Sequence, residues 1–379
     1  PTLKPTIFAI TILTFLAALS TMSGPLIVGG KDFQTINPMI KTFAQMQNSR
    51  EIAALLAIIL GVATSILLII MQKIEKKGSY ISVSKTKAKI EKQKIENPIM
   101  NVLAHVVAYI IFVIYMLPVI YVCIFSFTDA IAIKTGKISM SSFTLKNYKH
   151  LFELSTAYLP YLVSIVYAIV AALIVTVLAV VVARIVTKSK RKVDQLFEWA
   201  VLIPWLLPST LIALGLMMTY DVPRINLANE VLIGTPIIML IAYIIIKLPF
   251  SYRMIRASFF SIDENLEEAS KAMGASSFYT MMKVILPVIM PVVLSIIVLN
   301  FNSLLSEYDL SVFLYHPLFK PLGIVIKGAT EETATTEAQA MAFVYSVLLM
   351  AISTISLWLG RFGGFTTIKN FFTKKRRKE

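Results

Sequence analysis

Several stretches of this chain run for about 20 apolar residues, the length a helix needs to cross the hydrocarbon core of a bilayer. They lie near positions 52–71, 101–127, 158–186, 197–220, 231–248, 284–305 and 338–359, with a shorter run at 6–19 that extends to 28. Of the 379 residues 57% are hydrophobic and 15% charged, and the mean hydropathy of +0.77 excludes a soluble domain of this size. A span must satisfy its own backbone polar groups in lipid, and runs of this length do so as helices. The fold class is therefore all-α, a polytopic transmembrane helical bundle with about eight spans. Pro204 and Pro208 interrupt the run at 197–220.

The formal net charge is +15. Nucleic-acid binding is one reading of a basic chain, but the distribution argues against it. Most of the 36 Lys and Arg fall on one side of the expected topology, whereas the 21 acids divide almost evenly. This is the positive-inside bias, and it puts both chain ends in the cytoplasm. The Lys-rich, Arg-free segment 72–97 reads as a solvated cytoplasmic linker, and the basic tail 361–379 as a topology anchor or a contact with anionic lipid. The lone Cys123 excludes an intrachain disulfide and a CxxC metal site. His105, His150 and His316 show no ligand spacing, so no metal site is expected.

Between two of the apolar runs lies a polar interruption at 251–283. Ser261 with Glu264 three residues later reads as a capping box that starts a helix. Leu266, Ala269 and Met273 then share one face, and Glu264, Glu267, Glu268 and Lys271 occupy the rest. Gly274 can take the left-handed conformation that ends such a helix. Ser276 or Ser277 could cap a second helix that runs into Val284, Leu286 and Pro287. Periodicity alone leaves two readings open: an amphipathic connector resting on the membrane surface, or a docking element.

The residues carry a resemblance. Glu268-Ala269-Ser270, three residues, Gly274, nine residues, then Val284-Ile285-Leu286-Pro287 resemble the EAA motif of permease subunits of type I binding-protein-dependent ABC importers. Ser270 stands where the motif has its second Ala, and Val284 where it has Ile. The resemblance implies that Glu267, Glu268, Ala269, Ser270, Gly274, Leu286 and Pro287 form a coupling loop that docks on a cytoplasmic ATP-binding subunit. It further implies a bacterial inner-membrane location and an extracytoplasmic substrate-binding protein as a second partner.

Pro287 and Pro291 match Pro1 and Pro5 at a constant offset of 286, which also sets Leu299 on Leu13, Phe301 on Phe15, Leu305 on Leu19 and Ser306 on Ser20. Residues 1–71 are therefore expected to be the last two helices of an N-terminal permease half whose remainder is absent. Residues 98–360 are expected to be a complete C-terminal half. Two halves related by an axis along the membrane normal are a known transporter plan. The fused layout resembles the ferric-iron importer permeases, as do the segments 19–30, Ile203-Pro204-Trp205-Leu206-Leu207-Pro208 and Ser306-Glu307-Tyr308-Asp309. That resemblance implies ferric iron as cargo and docking of two ATPases, with phosphonate, polyamine, thiamine or another small solute as the alternative.

No phosphate-binding loop is present: Gly29-Gly30-Lys31-Asp32 has the wrong spacing. Hydrolysis is thus expected on a separate subunit, with ATP bound there and no cofactor in this chain. No catalytic constellation stands out. Polar residues within spans are the candidates for a translocation path: Ser209 and Thr210 after the proline pair, Asn300 and Asn302, and Glu307 at the end of its span. For the two asparagines helix–helix hydrogen bonding is the competing role. A different class, the ion-coupled secondary transporter, predicts ionisable residues deep within spans, and no buried carboxylate is evident there.

Overall fold

The computed structural model describes residues 4–29, 33–77, 95–188, 192–227, 229–331 and 333–360. Most of the Lys-rich linker, the basic tail and Pro1 lie outside the described residues.

The described residues form helices without a β-ladder. The chain begins with α1 (Lys4–Ser20), the short α2 (Ser23–Val28) and α3 (Ile36–Gln45), then the long α4 (Arg50–Lys77). After the linker, Asn97 caps α5 (Pro98–Ser126) by accepting the N–H groups of Ile99 and Met100, and Pro98 fits the first turn because it has no N–H to leave unpaired. Two short helices, α6 (Ala130–Thr135) and α7 (Lys146–Glu153), lead into α8 (Ser155–Lys188). Then come α9 (Lys192–Leu202) and α10 (Ser209–Tyr220), followed by α11 (Pro236–Phe260) and α12 (Glu264–Ala272). The chain finishes with α13 (Ser277–Thr280), α14 (Leu286–Leu305), α15 (Ser311–Leu314), α16 (Leu322–Ala329) and α17 (Thr336–Trp358).

The centre of the bundle is α8. Its buried side chains are mostly small, with Ala168, Ala171, Ala172, Ala179 and Ala183 inaccessible to solvent. In lipid, helices associate through close packing rather than through expulsion of water, so small residues bring backbones together. On this stripe α8 receives α11 and α14, its two most extensive partners. Ala168 and Ala171 pack with Ile238, Met239, Ala242 and Tyr243 of α11, and Ala183 and Val186 with Tyr252, Ile255 and Ile289. Tyrosines fasten α8 to α17: the Tyr161 hydroxyl donates to the Tyr345 carbonyl (2.6 Å), and the Tyr345 hydroxyl to that of Ala157 (2.8 Å). By contrast, α5 packs chiefly on α17 and presents apolar side chains all round, as a lipid-facing helix does.

The N-terminal elements join the same bundle. Asn37 of α3 is fully buried; its amide donates to the Leu19 carbonyl of α1 (2.9 Å) and its oxygen accepts the Thr210 hydroxyl of α10 (2.9 Å). Ile40, Ala53, Ala57 and Leu60 of α3 and α4 close around Leu214 of α10.

The structure corrects several span limits. Six helices are long and apolar enough to cross a membrane, a seventh span arises if one bent pair counts as one, and α1 is a shorter apolar helix of 17 residues. The bent pair is the run at 197–220, where α9 and α10 meet at 106°. Each proline lacks an N–H and disfavours the helical state of its predecessor, and Leu207 is accordingly extended. The span expected at 231–248 instead begins at Pro236, after the left-handed Gly234, and continues to Phe260. The capping box expected at Ser261 does not form. Asp263 caps α12 instead, accepting from Asn265 N (3.0 Å), while the Ser261 hydroxyl donates back to the Ser258 carbonyl.

The small-residue contact yields a test. Ala171→Leu adds three carbons where α8 meets α11 and should destabilise the bundle by about 1–3 kcal/mol. Thermal unfolding of the detergent-solubilised protein should show a lower midpoint.

Candidate functional site

The segment after α11 folds as a two-helix elbow at one end of the bundle. Gly274 takes φ +84°, with open space where a Cβ would stand, so the constraint there is on the backbone and not on packing. Its N–H donates to the Lys271 carbonyl (2.9 Å) and that of Ala275 to the Ser270 carbonyl (3.1 Å). These bonds satisfy the carbonyls freed at the end of α12. Ser276 caps α13 by accepting from Tyr279 N (3.2 Å). The buried Ser270 hydroxyl meets that of Thr280 (2.9 Å) and ties the two arms together, a contact that an alanine at 270 would lack. The chain then winds through a π-type turn, Met281–Ile285, into α14. Pro287 has no N–H to offer the carbonyl four residues back, so the ladder is already open there. Ile285 is buried and Leu286 half-buried against Val186, Tyr252 and Ile255, which roots the elbow in the core.

Glu267 turns into the bundle. It receives both Arg184 terminal nitrogens (3.0 and 2.8 Å), the Lys188 ammonium and, one turn on, Lys271 (3.2 Å). Partial burial alone would raise its pKa, but the hydrogen bonds from Arg184, Lys188 and Lys271 outweigh that and hold the carboxyl at about 2. Glu267 therefore fixes α12 to the end of α8. The neighbouring Glu268 and Ala269 are exposed, as are Met273 (83%) and Phe278 (76%), with Leu266 and Tyr279 beside them. This outward face combines one carboxylate with large apolar side chains. Arg256 pairs with Glu198 of α9, and the Arg253 guanidinium lies 5.2 Å from the centre of the Trp205 ring.

Of the candidates for a translocation path, the structure puts one in a cavity. Asn300 lines a space of about 370 Å³ with Trp205, Ile246, Lys247, Phe250, Leu299 and Ser303, while its amide donates to Ser251 of α11 (2.8 Å). Thr210 is engaged with Asn37, and Ser209 is half-buried at the start of α10. Asn302 points the other way and donates to the Val298 carbonyl (2.8 Å) and to Ser356 of α17 (2.7 Å). Glu307 is a helix cap: it accepts from Leu310 N (2.8 Å), Ser311 N (3.0 Å) and the Ser311 hydroxyl (2.7 Å).

Sequence reading missed Lys247. With the span ended at Leu248, Lys247 sat at a membrane boundary, where lysines ordinarily reach for water. The observed helix continues twelve residues to Phe260 and makes Lys247 its midpoint. The available signal was the Pro249–Phe260 segment, whose polar residues Ser251, Arg253 and Arg256 are helical too. The Lys247 ammonium donates to the Ser303 hydroxyl at 2.5 Å.

At the opposite end, Lys41 of α3 reaches the Tyr308 hydroxyl (3.2 Å) over a cavity of about 750 Å³ that Lys320, Lys327, Glu331 and Glu337 also line. Burial, then the charge of Lys327, lowers the Lys41 pKa, with Glu331 opposing. Asp309 accepts the N–H groups of Ser23 and Met22 at the start of α2. Burial first, then the Glu307 charge, nevertheless raises its pKa to about 6. No group of His, Cys, Asp and Glu among the described residues could hold a metal ion.

These two carboxyls should give stability profiles of opposite sign. Glu267 sits below its unfolded value, so its contribution is complete above pH 4.5 and is lost as pH falls towards 2. Asp309 sits above its unfolded value of 3.8, so raising pH from there through 6 costs stability. In pH-resolved thermal unfolding, Glu267→Gln should flatten the acid limb and lower the midpoint at pH 7, whereas Asp309→Asn should remove the loss between pH 4 and 6.

Residues 176–362 match the family model described as binding-protein-dependent transport system inner membrane component. A probable ABC transporter permease protein, y4fN, of Sinorhizobium fredii is 32% identical over 93% of this chain and 62% of its own length. A putative ferric transport system permease protein of Haemophilus influenzae is 26% identical over 83% of this chain and 48% of its own length. The chain thus spans about half to three-fifths of the length of these relatives. A solved bacterial ABC transporter involved in import of the acidic polysaccharide alginate shares the fold, with a TM-score of 0.56 over 69% of this chain and 94% of that one at 17% identity.

Proposed function

We propose that the chain is the membrane-spanning permease part of an ABC importer, a reading supported by the match of residues 176–362 to the binding-protein-dependent transport system inner membrane component model. The observation that carries the reading is the elbow at Gly274. It is anchored to α8 through Glu267, while Glu268, Met273 and Phe278 are left facing outward. A rigid, short helix pair with one free apolar face is what a docking element requires. Its partner is an ATP-binding subunit, which supplies ATP hydrolysis. This chain is a transport subunit and not an enzyme. The elbow end lies in the cytoplasm of a bacterial cell, with the carboxyl-terminal tail on the same side. A substrate-binding protein meets the opposite end, where the Lys41–Tyr308 cavity opens.

Two homologous halves are part of this proposal. The offset of 286 carries the start of α3 at Ile36 onto that of α16 at Leu322, and the start of α4 at Arg50 onto that of α17 at Thr336. α1 and α14 end within one residue of each other in the same register. The chain then holds the end of one half and all of the next. Each half would bring its own elbow, so two ATPase subunits are implied.

Cargo follows less directly. Ferric iron is named for the Haemophilus relative, and other relatives are named sulfate and 2-aminoethylphosphonate permeases. Ferric iron handed over by a binding protein fits the fused layout. Lys247, a cation within the candidate span Pro236–Phe260, would oppose a bare ferric ion on that path. A second reading, ion-coupled transport without an ATPase, draws on the same buried lysine.

Co-purification tests the reading. An ATP-binding subunit should be recovered with the intact permease from gently solubilised membranes. Glu268→Lys and Phe278→Asp should release it, and Gly274→Asp should abolish uptake by straining the left-handed turn. Recovery of the permease without any ATPase, with uptake driven by an ion gradient, would establish the second reading instead.

A further inference from the structure

Lys247 is the twelfth residue of a 25-residue helix, so at 1.5 Å per residue it stands roughly 17 Å from one end and roughly 20 Å from the other. A cation within a membrane span is costly unless something compensates it. Among the described residues no carboxylate lies within ion-pair distance of it. Its one hydrogen-bond partner there is the neutral Ser303 hydroxyl. The acid whose field acts on it is Glu307, one turn beyond Ser303. That carboxylate accepts from Leu310 and Ser311 and makes no ion pair with Lys247.

The surroundings are shaped to receive something. The cavity beside Lys247 is bounded by the stacked rings of Trp205 and Phe250, 6.2 Å apart, and by Asn300 and Ser303. Towards the elbow, Arg253 lies over Trp205, and it too makes no ion pair among the described residues. Lys247 is thus the one cation that lines the cavity, whereas Arg253 lies over the Trp205 ring outside its lining and Arg256 is paired with Glu198. Apart from the ammonium the cavity offers hydroxyl and amide groups, and no thiol, imidazole or carboxylate among its lining residues. Such a set binds an acceptor and repels a metal cation.

We propose that this cavity is an intramembrane binding site for a small tetrahedral oxyanion, with the Lys247 ammonium as its charge partner. Ser303 and Asn300, which line the same cavity, act as neutral ligands. Lys247 binds because no acid among the described residues contacts it: an arriving anion supplies the contact ion pair, and neither partner is left alone in low dielectric. The inference deepens the importer reading and rests on it only for the direction of movement.

The test uses the intact permease purified with its ATP-binding subunits in lipid nanodiscs, and equilibrium dialysis against radiolabelled sulfate and radiolabelled phosphate. At least one of the two should bind saturably. Lys247→Gln should weaken that binding by about tenfold or more, and Lys247→Arg should retain it. Recovery of Lys247→Gln with its ATPase subunits shows that the variant is folded. Equal binding by the wild type and Lys247→Gln, or binding of neither anion, would overturn the site. Loss of the ATPase from the wild-type preparation would overturn the importer reading and leave the binding result to stand on its own.

Discussion

Inside a bilayer no water is available to satisfy a backbone N–H or C=O, so each segment in the hydrocarbon must close its own hydrogen bonds. The architecture follows from that constraint. Long helices supply the spans, and the ladder is broken at a few places, each with a local device. Between α9 and α10 the prolines remove donors outright, and the chain turns sharply at an extended Leu207. At the elbow the freed carbonyls of α12 are taken up by the N–H groups of Gly274 and Ala275. Asn37 and Glu307 spend their side chains on backbone or hydroxyl groups near helix ends. Polar residues in this bundle are mostly used up in this way.

Against that background α8 acts as the common strut. One end holds α12 through Arg184, Lys188 and Glu267. Its alanine stripe holds α11, the helix that carries Lys247 and Arg253. One stiff helix and close-packed contacts thus connect the elbow with the wall of the cavity. The ionic cluster is only partly buried, and its worth lies in geometry: three cations converge on one carboxylate and set the angle of a nine-residue helix.

The exposed face of the elbow and the cavity at Lys247 are the two places where the accounting does not close. Met273 and Phe278 are apolar and exposed, at the elbow end of the bundle. Lys247 is charged and has no acid beside it. Thr210, Asn300, Asn302 and Glu307 each have a structural partner, which is why these two features carry the functional argument.

Much of this was legible in the residues. Apolar runs of about 20 residues dictated membrane helices, since no other backbone state survives in lipid over that length. Gly274 in a polar stretch, with Ser276 following, specified the bend and the second cap, because the left-handed turn and the N-cap are local requirements. The Glu268–Pro287 spacing carried the family resemblance. Tertiary structure alone decided the rest. Glu267 and Glu268 are adjacent and chemically alike, yet one is turned into Arg184 and the other into solvent, because Arg184 lies 83 residues away and only folding brings it near. Asn300 and Asn302 differ in the same way, one lining the cavity and the other facing α17. Lys247 changed meaning altogether. Hydropathy ended its helix beside it, and only the packing of Tyr252, Ile255 and Phe259 against α8 and α14 showed that the helix continues and that the charge lies at its centre.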